Sequence, residues 1–292
     1  MDIRSIAMGL LFAFIWASAF SSARIIVTDA APMAILALRF LISGGIAIAL
    51  ARALGESWRL TPGQWRATIV FGICQNAIYL GFNFVAMQTV EASLASIIAS
   101  TMPLMVAAAG WVVFRERLPW YGIFGLALGL VGVMLIMSAR LEIGVDLYGV
   151  ALCVIAAAAL AIATLSMRGA SSGGNLLMVI GLQMLVGAGV LAVVSALSET
   201  FYVNVSATWL AAFSYTILAP GLFATWIWFI LVQRIGAVRA AAFHFLTPFF
   251  GVAIAALVLG EALGLRDLLG VAVITVGILA VQLSKQRAAG QA

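Results

Sequence analysis

The sequence predicts an all-α membrane protein, with ten transmembrane helices arranged as two inverted five-helix repeats. Three observations predict it. The chain is 65% hydrophobic and only 9% charged, with a mean hydropathy of +1.20, whereas soluble domains carry about 25% charged residues. It matches itself without a gap at an offset of 145 positions. Corresponding loops of the two copies carry opposite charge character, as inverted halves require under a fixed positive-inside rule.

The apolar runs set the elements. A bilayer core about 30 Å thick takes about 20 apolar residues per helix. Ten such runs fall at 5–27, 32–54, 65–87, 92–114, 119–138, 147–168, 174–198, 208–231, 237–259 and 265–284. In the first, Ala17-Ser18-Ala19 mimics a signal-peptide cleavage site. Its apolar stretch exceeds the about 7–15 residues of a signal h-region, so it is read as a retained helix.

The loops orient these spans. With the N-terminus cytoplasmic, the inside segments hold eleven basic residues: Arg4, Arg52, Arg59, Arg66, Arg115, Arg117, Arg168, Arg234, Arg239, Lys285 and Arg287. The outside segments hold three, Arg24, Arg140 and Arg266, and Arg39 lies within a span. Both termini are therefore expected in the cytoplasm. The net charge of +5 is spread over loops and not gathered on one face, which argues against a nucleic-acid partner. Cys74 and Cys153 fall inside spans without motif spacing and read as packing residues. No disulfide, metal site or cofactor is expected.

The repeat divides the chain into 1–143 and 144–292. The 145 offset aligns Pro103 with Pro248, Glu116 with Glu261, Gln88 with Gln233, Gly125 with Gly270 and Gly132 with Gly277. An offset of 144 pairs Arg39 with Gln183 and Gly45 with Gly189. Five helices per half invert the second copy, and the loops agree. The loop after helix 2 has Arg52, Arg59 and Arg66, while its counterpart after helix 7 has no basic residue and carries Glu199. Conversely, the loop near Glu91 has no basic residue and its counterpart has Arg234 and Arg239. Inverted repeats are the mark of secondary transporters.

The stretches Thr89 to Ile136 and Ile235 to Ala280 resemble the EamA repeat of the drug/metabolite transporter superfamily, as do Trp16-Ala17-Ser18-Ala19-Phe20 and Leu38-Arg39-Phe40. The resemblance covers nearly the whole chain. It implies two inverted halves around a central cavity that opens to one side at a time. Within the superfamily the chain is most similar to aromatic amino-acid exporters of the YddG type. Ala17 departs from the Gly of many relatives, and helix 6 has no counterpart of Trp16.

Helix 3 is the candidate cavity wall read from the residues themselves. Gln75, Asn76, Tyr79 and Asn83 lie at spacings of three and four on one stripe with Gly72 and Met87. Amides at membrane depth need protein or water partners. They suit the amino and carboxylate groups of a zwitterion, with Tyr79 offering a flat face. The alternative is interhelical bonding worth about 0.6 kcal/mol per pair. In helix 4, Ser96 and Ser100 form with Ser93 either a hydroxyl-lined wall or a close packing surface. Trp16, Phe20 and Trp228 are further substrate candidates, beside Trp226 and Phe223, against core packing as the alternative. His244, the only histidine, is a candidate proton or substrate contact or a neutral core residue.

Pro103, Pro220 and Pro248 lie near the centres of their spans and are expected to kink them, as hinges or as static bends. Arg39 lies roughly 10 Å into helix 2. It can attract an anion, or snorkel and cap carbonyls; its place in the family motif favours a structural or gating role. Gly125 and Gly129 form a GxxxG that suits packing inside the monomer as well as dimerisation. No Asp or Glu falls mid-span and no Walker loop appears. The expected activity is export of neutral and aromatic amino acids and related metabolites, by alternating access without strong proton coupling. The expected setting is a bacterial inner membrane, with lipid and small-molecule substrate as the only partners of a monomer. A broad, proton-coupled drug exporter is the alternative, and an enzyme or scaffold a remote one.

Overall fold

A computed structural model describes residues 2–112, 115, 119–142, 144–166, 174–235, 240 and 242–289. Glu116, Arg117, Arg168 and Arg239 lie outside these. The helices are α1 (Ile3–Thr28), α2 (Pro32–Ala53), α3 (Pro62–Phe71), a π-helical segment π1 (Gly72–Tyr79), α4 (Leu80–Ala86), α5 (Ala92–Ser100) and α6 (Met102–Val112). There follow α7 (Trp120–Glu142), α8 (Leu147–Ser166), α9 (Leu176–Ser198), α10 (Ala207–Thr216), a second π segment π2 (Ile217–Phe223) and α11 (Ala224–Ile235). A 3-10 turn (Ala242–Leu246), α12 (Thr247–Leu259) and α13 (Leu265–Ala289) complete the chain. With interrupted helices taken as one, eight stretches among the described residues are long and apolar enough to cross a membrane, and Thr247–Leu259 is a shorter apolar helix. The protein is a multi-pass, all-helical membrane protein.

The chain forms two compact units that do not follow the sequence halves. The first comprises Met1–Ser21, Thr89–Val150 and Phe223–Ala292; the second, Ser22–Gln88 and Ala151–Leu222. Each draws helices from both repeats.

In the first unit α7 runs along α13 at glycine contacts. A β-carbon on Gly125 would lie 2.6 Å from the Gly277 carbonyl oxygen, and one on Gly132 would lie 2.9 Å from that of Gly270. The GxxxG is thus spent inside the chain, where small residues let backbones approach. At one end of these helices Arg140, only 4% exposed, donates from Nε and Nη2 to Asp267 at 3.2 and 3.1 Å, and from Nη1 to Glu91. Glu261 accepts the backbone N–H groups of Ala92 and Ser93 at 2.8 and 3.0 Å, in the first turn of α5. In the loop before α8 the Thr89 hydroxyl donates to Asp146 at 2.6 Å and holds its carboxyl below the ordinary 3.8.

In the second unit α2 runs along α9, again at glycine: a β-carbon on Gly44 would lie 3.0 Å from the Gly181 carbonyl oxygen. Glu199 accepts from the N–H groups of Met33 and Ala34 at 2.9 and 3.0 Å, at the start of α2. Glu56 accepts from Leu177 and Met178 at 3.3 and 2.8 Å, at the start of α9. The first amides of a helix lack intrahelical acceptors and carry its positive dipole end, so a carboxylate there satisfies both. Thr61 and Gln64 close a capping box on α3.

Candidate functional site

The prolines mark the interruptions the sequence predicts. Pro103 opens α6 directly after α5 ends, Pro220 lies inside π2, and Pro248 is in the first turn of α12 behind the 3-10 turn. The surprise is π1, an irregular segment with no proline. The 145 offset carries residues 72–78 onto 217–223, so the two π segments occupy equivalent places in the two repeats. Segments of this kind recur at functional sites. The sequence reads helix 3 as one uninterrupted span; Pro220 in its repeat partner was the available signal.

Both π segments belong to the second unit, save Phe223 at the end of π2, and each is tied to a neighbouring helix by a polar side chain. Gln75, Asn76, Tyr79 and Asn83 are all buried. Asn76 donates from Nδ2 to the Gln183 carbonyl on α9 at 2.9 Å, and a β-carbon on Gly187 would collide with its own. Asn76 therefore forms the interhelical bond that the sequence left as the alternative. Asn83 donates to the Tyr79 carbonyl of its own helix at 2.8 Å, and its Oδ1 has no acceptor role filled among the described residues.

The second repeat makes the same contact in reverse. Arg39 on α2, the equivalent of Gln183, donates from Nε to the Thr216 carbonyl at 3.3 Å. That carbonyl lies four residues before Pro220, which has no N–H to offer it. Gly221, the equivalent of Asn76, leaves room: a β-carbon there would lie 3.6 Å from Nη2 of Arg39 and 3.5 Å from the Ser43 hydroxyl. Ser43 is in turn the equivalent of Gly187. In one copy a side chain reaches out from the π segment; in the other a side chain reaches in.

In the first unit four rings converge. Phe12 lies 5.8 Å from Trp16, 4.8 Å from Trp228 and 5.2 Å from His244, centroid to centroid. His244 also meets Trp16 edge-on at 5.9 Å and Trp228 at 5.1 Å. The sequence singled out three of the four. It missed Phe12, which lies one helical turn before Trp16 on the same face and could have been found by that spacing. Phe20 is buried further along α1 and makes no ring contact among the described residues. Trp226 and Phe223 stack on each other and are 46% and 44% exposed, so they are not core packing residues. Ser96 points its hydroxyl at the Thr247 carbonyl at 3.5 Å with Gly251 opposite it, and Ser100 bonds back to Ile97 at 2.6 Å. Ser96 thus lies where α5 packs against α12.

Comparison with known proteins agrees with this architecture. The chain is 25% identical over 254 residues to the uncharacterized transporter YvbV of Bacillus subtilis, covering 86% of this chain and 82% of that one. It is 24% identical over 293 residues to an uncharacterized transporter of Synechocystis, covering 94% and 88%. Over 130 residues it is 28% identical to a Chlamydia trachomatis protein named as an S-adenosylmethionine/S-adenosylhomocysteine transporter, covering 44% of this chain and 40% of that one. A solved crystal structure covering 98% of this chain and 99% of its own has the same fold, with a TM-score of 0.69 at 22% identity. The model of the EamA-like transporter family matches twice, over residues 3–138 and 147–283. Those two matches account for nearly every helix described above, and the chain belongs to the EamA-like transporter family, as a transporter and not an enzyme.

Proposed function

We propose that the chain is a secondary carrier exporting aromatic and other neutral amino acids and related small metabolites. It works as a monomer in a bacterial inner membrane, with both termini in the cytoplasm. The observation that carries this reading is the ring cluster of Phe12, Trp16, Trp228 and His244. Aromatic pairs contribute about 0.5–1.5 kcal/mol beyond the area they bury, and an ammonium group is attracted to the face of Trp. A flat, apolar side chain next to an amino group is the ligand such rings favour. Pro103, Pro220 and Pro248 supply hinges for alternating access, because a helix with a missing backbone bond bends at low cost. No Asp or Glu lies mid-span in the sequence, so the usual carboxylate relay for protons is missing. Flux then follows the substrate's own gradient.

The same rings suit an adenine base, and a relative named for S-adenosylmethionine favours a second reading in which the cargo is a nucleoside-bearing amino acid. Uptake of labelled tryptophan, phenylalanine, threonine, S-adenosylmethionine and a cationic drug into proteoliposomes separates the readings. Saturable tryptophan flux independent of a pH gradient, reduced about tenfold in Trp228→Ala, is the expected result. Flux of S-adenosylmethionine alone would select the second reading. Drug flux that requires a pH gradient and is lost in His244→Gln would replace both with a proton-coupled exporter.

A further inference from the structure

Among the described residues, Arg39 is a cation left with most of its donors unpartnered. A guanidinium carries five N–H donors and no acceptor, and it stays protonated. Among the described residues only Nε finds an acceptor, the Thr216 carbonyl, and no carboxylate lies within ion-pair distance. The residue is nevertheless 5% exposed, about two turns into a membrane helix. A buried charge is costly unless it is paired and hydrogen-bonded, and an intramembrane one marks a functional site by default.

The surroundings keep the rest of the fork open. The Phe40 ring lies 5.1 Å from the guanidinium carbon and offers no hydrogen-bond acceptor in the plane of its N–H groups. The Ser43 hydroxyl donates to the Arg39 carbonyl at 2.9 Å, so it is turned back on its own helix. Gly221 contributes no side chain beside Nη2. The bond from Nε fixes the plane, leaving the two Nη groups as the pair of parallel donors that match a carboxylate. The equivalent position on α9 is Gln183, so only one repeat carries this charge.

We propose that Arg39 is an anion-recognition residue, receiving the carboxylate of the transported metabolite on its free Nη edge. This rests on the carrier reading and adds to it the charge its cargo must bear. Two experiments on the full chain test it. In phosphatidylcholine nanodiscs, phenylglyoxal modification of Arg39 is followed by peptide mass spectrometry with sodium benzoate, inorganic phosphate or chloride at matched ionic strength, with Arg234 as internal reference. In proteoliposomes, flux of tryptophan is compared with that of tryptamine, which lacks the carboxylate, for wild type, Arg39→Gln and Arg39→Lys.

Benzoate is expected to slow modification of Arg39 about tenfold and to leave Arg234 unchanged. Wild type prefers tryptophan to tryptamine by about ten- to a hundredfold, Arg39→Gln loses that preference, and Arg39→Lys keeps part of it. An Arg39 that does not react without anion, that benzoate does not protect, or that phosphate alone protects overturns the proposal. So does an Arg39→Gln protein that discriminates as wild type does. Benzoate protection in a protein that carries no amino acid would keep the anion site and remove the amino-acid cargo. Amino-acid flux without carboxylate preference would do the reverse. If Arg39→Gln does not fold, the wild-type labelling decides alone.

Discussion

Glu56, Glu199 and Glu261 each accept two backbone N–H groups from the first turn of a helix more than a hundred residues away. Such caps are worth about 1–2 kcal/mol where the amides have no other acceptor. Glu199→Ala should therefore lower the unfolding free energy in detergent by about that amount. Glu199→Gln, which keeps an acceptor and loses the charge, should cost less than half as much. Equal losses in the two variants, measured by thermal unfolding, would show that the charge and not the hydrogen bonding is what matters. The sequence reads Glu199 only as the acidic loop opposite Arg52 and Arg59, because a cap formed by a distant loop leaves no local pattern. The repeat held the missing signal: the 144 offset sets Met33 and Ala34 against Leu177 and Met178, the two pairs of amides that Glu199 and Glu56 cap.

At the scale of elements, glycine decides which helices can touch. A β-carbon on Gly277 would lie 2.7 Å from the Gly125 carbonyl oxygen, whereas one on Gly45 would meet nothing within 4 Å. Gly277→Ala is expected to cost about 1–3 kcal/mol through forced separation of α7 and α13, and Gly45→Ala to leave the melting temperature unchanged or raised. Since alanine favours a helix over glycine, comparable losses in both would mean that the close approach of α7 and α13 is not what sets the cost. The period of the apolar runs made most helices legible, and the prolines made three of their interruptions legible. π1 was not, since Gly72 to Tyr79 holds no proline; the segment lies against α9, a contact with no local signature in the sequence. The same distinction runs through the candidate site. Trp16, Trp228 and His244 stand out by residue type, Asn76 by its cost in a membrane. That Asn76 bonds α9 is a matter of which helix lies alongside, which residue type does not encode.

The whole molecule is held by bonds that run between the sequence repeats within each compact unit. Arg140, from the first repeat, bonds Glu91 of the same repeat and Asp267 of the second at one end of the first unit. Removing the cation strands a buried carboxylate, so Arg140→Ala should destabilise the protein by about 3–5 kcal/mol, read as loss of the monodisperse species on size-exclusion chromatography after mild heating. Addition of Asp267→Asn to that variant should recover part of the loss, and failure to recover any would place the cost in packing instead of charge. The exchanged caps of the second unit bear on biogenesis. As the ribosome feeds the chain into the membrane, Met33 and Ala34 enter long before Glu199 has been synthesised. Until then the start of α2 must borrow water or lipid headgroups as acceptors. The early helices are therefore provisional lodgers in the bilayer, their amides held by solvent or lipid until the second repeat arrives.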